Sequence, residues 1–178
     1  MKKLLTITAL LLLHYSYSQE NTPKKHEVKI NIISILAANA IDLTYEHILS
    51  QESSVGLSVY SYIGNNNSNF GNLYRTFSVT PYYRNYFSSN HNSDFFIEAF
   101  VMYNESIDYG DIYNYDKNYS DKQKNTNAFA LGFAAGRKWL TKNGFLAEIS
   151  LGLGRNLFTK NDELSAVGRG GVTIGKQF

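Results

Sequence analysis

The sequence contains no cysteine and only two prolines among its 178 residues. The absence of cysteine excludes disulfides, thiolate metal ligands, cysteine nucleophiles and lipid-modified cysteines. Charge is also scarce, since charged residues make up 18% of the chain and soluble domains usually carry about 25%. Without Lys2 and Lys3, the Lys+Arg count falls from 17 to 15 and equals the 15 Asp+Glu. A net charge near zero argues against nucleic acid as a partner.

The chain also lacks the run of about 18 apolar residues that a transmembrane helix requires. Its main apolar run, Leu4–Leu13, is shorter and follows the positive pair Lys2 and Lys3. Small residues at Ser16 and Ser18 complete the pattern of an export signal. We therefore predict a cleaved signal peptide at 1–18, a polar leader at 19–27, and a single domain at 28–178.

The remaining sequence is rich in aromatics and alternates with period two. In Phe145–Leu157 the odd positions are mostly apolar, and the even positions are mostly small or polar. Such alternation is typical of a strand with two different environments on its faces. The same pattern predicts eight strands, at 28–36, 40–49, 54–63, 73–87, 94–105, 127–140, 145–157 and 166–178.

The connections between these strands alternate in length, except for the first, near 37–39, which is short where a long one is expected. Those at 50–53, 88–93 and 141–144 are short, and those at 64–72, 106–126 and 158–165 are longer and polar. Strands of about 10 residues, with short turns at one end and long loops at the other, are typical of outer-membrane barrels. The fold predicted is all-β, an eight-stranded antiparallel up-and-down transmembrane β-barrel with both termini on the periplasmic side.

The composition of the two faces indicates which one meets lipid. The second face is mostly Gly, Ala, Ser, Thr and Asn, which suits a tight interior better than a solvated surface. Large aromatics next to the short turns and at the end of the chain predict an interfacial girdle of Phe87, Phe95, Trp139, Phe145 and Phe178. The fold-level alternative is a soluble ligand-carrying barrel, in which the apolar face lines the core.

The final strand, Ala166–Phe178, resembles the C-terminal strand of bacterial outer-membrane proteins. It keeps alternate small or apolar positions and a terminal aromatic, although Lys176 departs from the pattern. The whole chain is similar to the small eight-stranded Gram-negative class typified by OmpX and the OmpA membrane domain. Thr80–Phe87 and the Gly-rich segments starting at Phe129 and Phe145 resemble a small-barrel family of unknown function. The resemblance implies insertion by the barrel assembly machinery and brings no catalytic residue.

Charged residues at inward positions predict a paired lumen. They are Asp42, Glu46, Arg84, Glu98, Lys138 and Glu148, joined by Lys29 and Arg169 from the first and last strands. Opposed residues of a hairpin have numbers that sum to a constant, which sets Arg84 opposite Glu98 and Lys138 opposite Glu148. An eight-stranded interior is just wide enough for side chains, so we expect a plug and no bulk porin activity.

Two further groups are candidates for surface binding. Arg75 and Arg155 fall on the predicted lipid face at the long-loop end, where guanidinium groups suit lipopolysaccharide phosphates. The 106–126 loop carries Tyr109, Tyr113, Tyr115 and Tyr119, amphipathic groups that suit a glycan or protein partner. Alternating oxygen side chains in this loop lack the spacing of a calcium loop, so no metal is predicted.

An enzymatic role requires a nucleophile beside a base. His47 is the only histidine within a predicted strand, but Glu46 points to the opposite face and Ser50 lies in the turn. We therefore expect no enzyme and no cofactor. The function predicted is structural or surface-interactive, at the outer membrane and in contact with its lipid. The alternatives are an outer-leaflet lipid hydrolase or acyltransferase, and a narrow gated pore.

Overall fold

The computed structural model describes residues 24–64, 74–87, 93–108, 124–157 and 166–178. Eight antiparallel strands form a closed barrel in chain order, and β1 pairs with β8. The strands are β1 His26–Asn31, β2 Ala40–Ile48, β3 Ser53–Tyr62, β4 Tyr74–Tyr86, β5 Ser93–Asp108, β6 Lys124–Leu140, β7 Phe145–Leu157 and β8 Ala166–Gln177. One helix, α1 Ile32–Ala38, lies between β1 and β2. The predicted eight-stranded up-and-down barrel is thus confirmed.

The observed strands begin and end within a few residues of the predicted positions, apart from β1. β7 has the predicted bounds, whereas β5 and β6 continue three residues further into the predicted 106–126 loop. Their hairpin stays paired as far as Asp108 and Lys124. β1 starts at His26, so the last two residues of the predicted polar leader belong to the barrel. The predicted signal peptide lies outside the described residues.

The predicted strand 28–36 is wrong in its second half, where the chain forms α1. The side chain of Asn31 accepts hydrogen bonds from the backbone N–H groups of Ile33 and Ser34, at 3.1 and 3.4 Å, and caps the helix. Asn39 ends it in the left-handed conformation with φ 48°, and its N–H bonds the Ser34 carbonyl. Among the described residues, no helix has the length and hydropathy needed to cross a bilayer.

The helix leaves β1 paired over only part of the neighbouring strand. The β1–β8 ladder runs from Glu27 opposite Gln177 to Asn31 opposite Thr173. Beyond Thr173, residues 166–172 of β8 pair with β7 but have no β1 residues opposite them. At the end of the barrel that holds the chain termini, β1 lies beside β8. At the other end, α1 takes the place of β1 beside β8. We call this junction of α1 and residues 166–172 of β8 the seam.

The outer face of the barrel is apolar around its circumference. Leu151 and Leu153 are 78% and 72% exposed, and Phe133 is 70% exposed. Alternate residues of the same strands are buried, as the period-two pattern predicts. A surface of this kind is unfavourable in water and favourable in hydrocarbon.

The inner face is filled by aromatic rings that lie over glycines of the adjacent strand. Phe96 lies opposite Gly136 and Phe100 opposite Gly132 in the β5–β6 ladder. A Cβ atom on Gly132 would stand 2.4 Å from the Phe100 ring, so only glycine leaves room for the ring. The glycines of β6 and β7 thus allow a narrow lumen to hold large side chains.

Candidate functional site

The lumen contains a cluster of eight charged side chains, which we call the plug. Its acids and bases alternate in space, and each makes at least one ion pair of 3.5 Å or less. The members are Glu27, Glu46, Glu98, Glu148, Lys29, Arg84, Lys138 and Arg169. Seven of the predicted inward charges are among them. Because four acids meet four bases, the plug carries no formal net charge.

Glu46 of β2 is the most heavily bonded acid of the plug. Its Oε2 lies 2.5 Å from Lys29 Nζ and 3.1 Å from Arg84 Nη1. The hydroxyls of Tyr82 and Tyr86 donate to its two oxygens at 2.7 and 2.5 Å, and the Ser54 hydroxyl donates at 2.7 Å. The carboxylate is fully buried. Charge pairing and three hydroxyls together offset the cost of removing it from water.

Arg84 of β4 links two further acids to this centre. It donates to Glu98 Oε2 through Nη2 at 2.9 Å and to Glu148 Oε1 through Nη1 at 3.0 Å. Its guanidinium carbon lies 3.7 Å from the centre of the Phe96 ring. The predicted opposition of Arg84 and Glu98 is seen in the β4–β5 ladder. Arg169 reaches the other oxygen of Glu98 at 2.7 Å.

Three carboxylates of the plug approach closely enough to suggest a metal site. Oxygen atoms of Glu27, Glu46 and Glu148 all lie within 4.8 Å of one another. The ammonium group of Lys29 lies among them, at 3.5, 2.5 and 2.8 Å respectively. Lys29 thus supplies the cation that this acidic cluster requires, and a divalent ion would have to displace it.

The predicted pair of Lys138 and Glu148 is opposed in register but does not make the expected contact. Both side chains are buried, and the two residues face each other in the β6–β7 ladder. Lys138 Nζ nevertheless bonds Glu27 Oε1 at 3.1 Å and the Tyr86 hydroxyl at 2.8 Å. Glu148 bonds Lys29 and Arg84 instead. The narrow lumen lets long side chains reach across it, so register alone does not fix their partners.

Asp42 is the predicted lumen acid that lies outside the plug. It is half-buried and accepts hydrogen bonds from Ser58 Oγ at 2.6 Å and Asn31 Nδ2 at 3.3 Å. Its carboxylate makes no ion pair with the described residues. Glu27, which belongs to the predicted polar leader, takes its place in the plug. Extending the alternation of Lys29 backward by two residues would have found it.

The predicted lipid contact of Arg75 is wrong, because this side chain turns into the lumen. A β-bulge lies between Arg75 and Phe77 and reverses the facing of the residues before it. The guanidinium carbon of Arg75 lies 4.3 Å from the centre of the buried Tyr60 ring. Its Nη1 atom contacts Met102 Sδ at 3.4 Å and donates to the Gly168 carbonyl at 3.2 Å.

The other predicted rim residues lie on the outer face. Arg155 is exposed near the end of β7, at the end of the barrel where α1 lies. The five girdle aromatics are 37% to 64% exposed and cluster where β4–β7 and the chain end meet the short connections. Arg137 lies over the Phe95 ring at 4.8 Å, and Lys176 over the Phe145 ring at 5.5 Å. Tyr109, Tyr113, Tyr115 and Tyr119 lie outside the described residues.

The residues weighed for catalysis are not brought together. Glu46 is buried in the plug, while His47 lies on the outer face. The hydroxyl of Ser50 bonds Ser53 Oγ at 2.8 Å. His47 contacts His26 instead, with 3.4 Å between their Nδ1 atoms. This arrangement lacks the oriented nucleophile, base and acid of a hydrolase.

The comparisons with known proteins agree with this architecture. The chain is similar in structure to the N-terminal β-barrel domain of Pseudomonas aeruginosa OprF, with a TM-score of 0.61 and 14% identity over 87% of this chain and 98% of that one. The likeness shows an outer-membrane-type barrel fold. No curated protein matches the chain. One protein family matches residues 5–175, and its description is "Protein of unknown function (DUF3575)".

Proposed function

Since the chain belongs to the DUF3575 family of proteins of unknown function, we propose a role from its geometry: an integral outer-membrane β-barrel with a structural or surface-interaction function. The apolar outer face and the exposed aromatics at the short-turn end support this location. The predicted signal peptide at 1–18 supplies the export route. The long connections are then extracellular, and they display the tyrosines of the 106–126 segment to glycan or protein partners.

We propose that the barrel does not act as a pore, and the main support is the plug that fills its lumen. Lys29, Glu46 and Glu98 are each no more than 1% exposed, so water has little access to the centre of the lumen. Charges held by several ion pairs and hydroxyls cannot move aside without leaving a partner unpaired. Open aqueous channels are built from barrels with many more strands.

Planar-bilayer conductance tests whether the plug closes the lumen. We expect the purified protein to give no stable current steps, because the paired side chains of the plug are buried across the lumen. Discrete steps from the parent protein, altered in size by Glu98→Ala or Glu148→Ala, would contradict the plug and favour a narrow gated pore. The exposed Glu52→Ala variant is the matched control, since its side chain lies in a turn outside the lumen.

The C-terminal strand is proposed to serve as the insertion signal for the barrel assembly machinery. The backbone of Phe178 exchanges hydrogen bonds of 2.8 and 3.1 Å with that of His26 and closes the barrel, while its ring is 56% exposed. In Phe178→Ala, the backbone bonds remain and the exposed ring is lost. We expect less assembled barrel in cells but normal refolding of the purified chain in detergent. An equal loss for Phe145→Ala would assign the effect to the girdle.

Contact with lipopolysaccharide is proposed for Arg155 alone. Its side chain is exposed on the outer face at the end where the long connections lie. A guanidinium there suits the phosphates of the outer leaflet. Arg155→Met should then reduce the lipopolysaccharide retained during purification, whereas Arg75→Met should not, because Arg75 points inward. Equal retention by the parent and Arg155→Met would remove this contact from the proposal.

A further inference from the structure

A cavity lies in the lumen on the α1 side of the plug. It has a volume of about 390 Å³ and is bordered by residues of α1 and of every strand from β2 to β8 except β6. Asp42, Arg75 and Arg169 supply its charges, and Tyr60, Met102 and Ile33 supply apolar surface. Its volume is within the range of small-molecule sites, about 300–1,000 Å³.

The cavity reaches the wall of the barrel where β1 gives way to α1. Gly168, Gly170 and Gly171 border it there, in the part of β8 that has no β1 residues opposite. The carbonyl oxygens of Gly168 and Gly170 accept hydrogen bonds from the side chains of Arg75 and Asn31, at 3.2 and 3.0 Å. Lumen side chains thus replace a strand along this edge.

In the proposed membrane placement, the seam lies within the hydrocarbon layer. A tilted strand crosses the hydrocarbon in about 9–11 residues. Counted back from Gln177, that length places Gly168 and Gly170 in the outer half of the crossing. An unpaired sheet edge is tolerated at such depth only where protein covers it or a polar cavity adjoins it. At the seam, the lumen cavity therefore reaches the barrel wall at the depth of the outer leaflet.

The outer surface at the seam is a shallow groove. Gly168 and Gly170 have no side chains to fill it, and a Cβ atom on Gly168 would meet no atom of the described residues within 4 Å. Leu151 and Leu153 of β7 stand beside it, 78% and 72% exposed. Leu36 of α1 is 76% exposed. An apolar chain lying in the outer leaflet would find matching surface here.

The polar side of the cavity favours an anion. Arg75 makes no ion pair with the described carboxylates, and its buried Nε atom has no hydrogen-bond partner among the described residues. Its hydrogen bonds to other described residues are both made by Nη1. Arg169 is bound to Glu98 through Nε. A guanidinium group can bind a carboxylate through two parallel N–H···O hydrogen bonds. Nε and Nη2 of Arg75 and the Nη atoms of Arg169 are the nitrogen atoms not used in the hydrogen bonds named here. Asp42 on the same cavity wall disfavours the second negative charge of a phosphate.

We propose that this cavity binds the head of a long-chain carboxylate, a fatty acid dissolved in the outer leaflet, which reaches it sideways through the seam. The carboxylate lies against Arg75, and the acyl chain lies in the groove over Gly168. The inference rests on the membrane placement proposed above, but it does not require the loops to bind anything. The plug closes the lumen beneath the site.

Binding is measured by titrating the fluorescent fatty acid cis-parinaric acid into the refolded protein in zwitterionic micelles. We expect saturable binding above the micelle background. Arg75→Met should weaken it by about tenfold or more, because a charge-assisted bidentate contact is lost. The methyl ester of the probe should lose affinity to a similar degree. Arg137→Met, which removes a guanidinium from the outer face at the opposite end of the barrel, is the control and should bind like the parent.

Gly168→Phe tests the route without touching the charges. The open space at Gly168 lets the ring fill the groove, so we expect binding to be lost or slowed at least tenfold. Ala135→Phe adds the same ring to the outer face of β6 and should change nothing. Equal affinity for the acid and its ester, tighter binding of dodecyl phosphate, or unchanged binding by Gly168→Phe would overturn the proposal.

The folded state of each variant is checked by heat-dependent gel mobility before titration. A parent protein that shows the shift but binds no fatty acid would overturn the binding site and leave the membrane barrel standing. A parent protein without the shift would overturn both, because the seam would then face water. The two failures are therefore distinguishable.

Discussion

Glu46→Ala should lower the free energy of unfolding by about 3–5 kcal/mol, the loss typical of breaking a buried ion pair by removing one partner. The change leaves three plug acids against four bases. It also removes the acceptor of the Tyr82, Tyr86 and Ser54 hydroxyls. Urea unfolding in detergent micelles, followed by gel mobility, measures the effect.

The control for this prediction is Glu52→Ala, four residues after the end of β2. Its side chain is exposed in the turn, and a surface change of this kind usually stays within about 0.5 kcal/mol. If Glu46→Ala and Glu52→Ala unfold at the same urea concentration, the lumen is hydrated and the plug does not stabilise the barrel.

Glu148→Ala should cause the second-largest loss, about 2–4 kcal/mol, because Lys29 and Arg84 each lose one of their acceptors. A double-mutant cycle identifies the partner. The coupling energy between Glu148→Ala and Lys29→Met should be about 1–3 kcal/mol. The coupling with Lys138→Met should be smaller, since the ammonium of Lys138 bonds Glu27 and Tyr86.

The reverse ranking of the two coupling energies would contradict the observed contacts. It would mean that Lys138 turns toward its register partner and that the network follows hairpin opposition. The cycle therefore separates an interaction along one hairpin from an interaction across the lumen. Both lysine variants keep a long apolar side chain, so neither opens a large cavity.

The fold follows from the sequence because period-two alternation is strong and long in this chain. A tilted strand that separates hydrocarbon from a narrow lumen must alternate, and β7 accordingly has the predicted bounds. Hairpin sums then set Arg84 opposite Glu98, as observed. Strand bounds and hairpin opposition depend only on residues of the same strand or of the adjacent strand. The spacing of residues in the sequence describes such relations well.

The predictions that failed depend on features that spacing does not describe. The bulge after Arg75 reverses facing without any change in composition, so the guanidinium turns from the predicted lipid face into the lumen. The contacts of Lys138 depend on the width of the lumen, which brings β1 and β6 side chains together. Neither the bulge nor the distance across the barrel is visible in the alternation.

The helix α1 was visible in part. Asn31 before an Ile-rich segment and Asn39 after two alanines are typical of helix caps. The same residues also fit a strand, because Val28–Leu36 has the length and alternation of one. The sequence therefore predicts a strand where the second half forms a helix. The consequence is large, since the helix shortens β1 and leaves the edge of β8 that borders the lumen cavity.

The proposed function requires a closed barrel in the outer membrane, with the apolar face in lipid and the charged side chains inside. Membrane fractionation, followed by gel electrophoresis of heated and unheated samples, tests it most directly. We expect recovery in the outer membrane and a band whose mobility changes on heating. Recovery in the soluble periplasm without a mobility change would contradict it, and the apolar residues would then line a core or a ligand cavity.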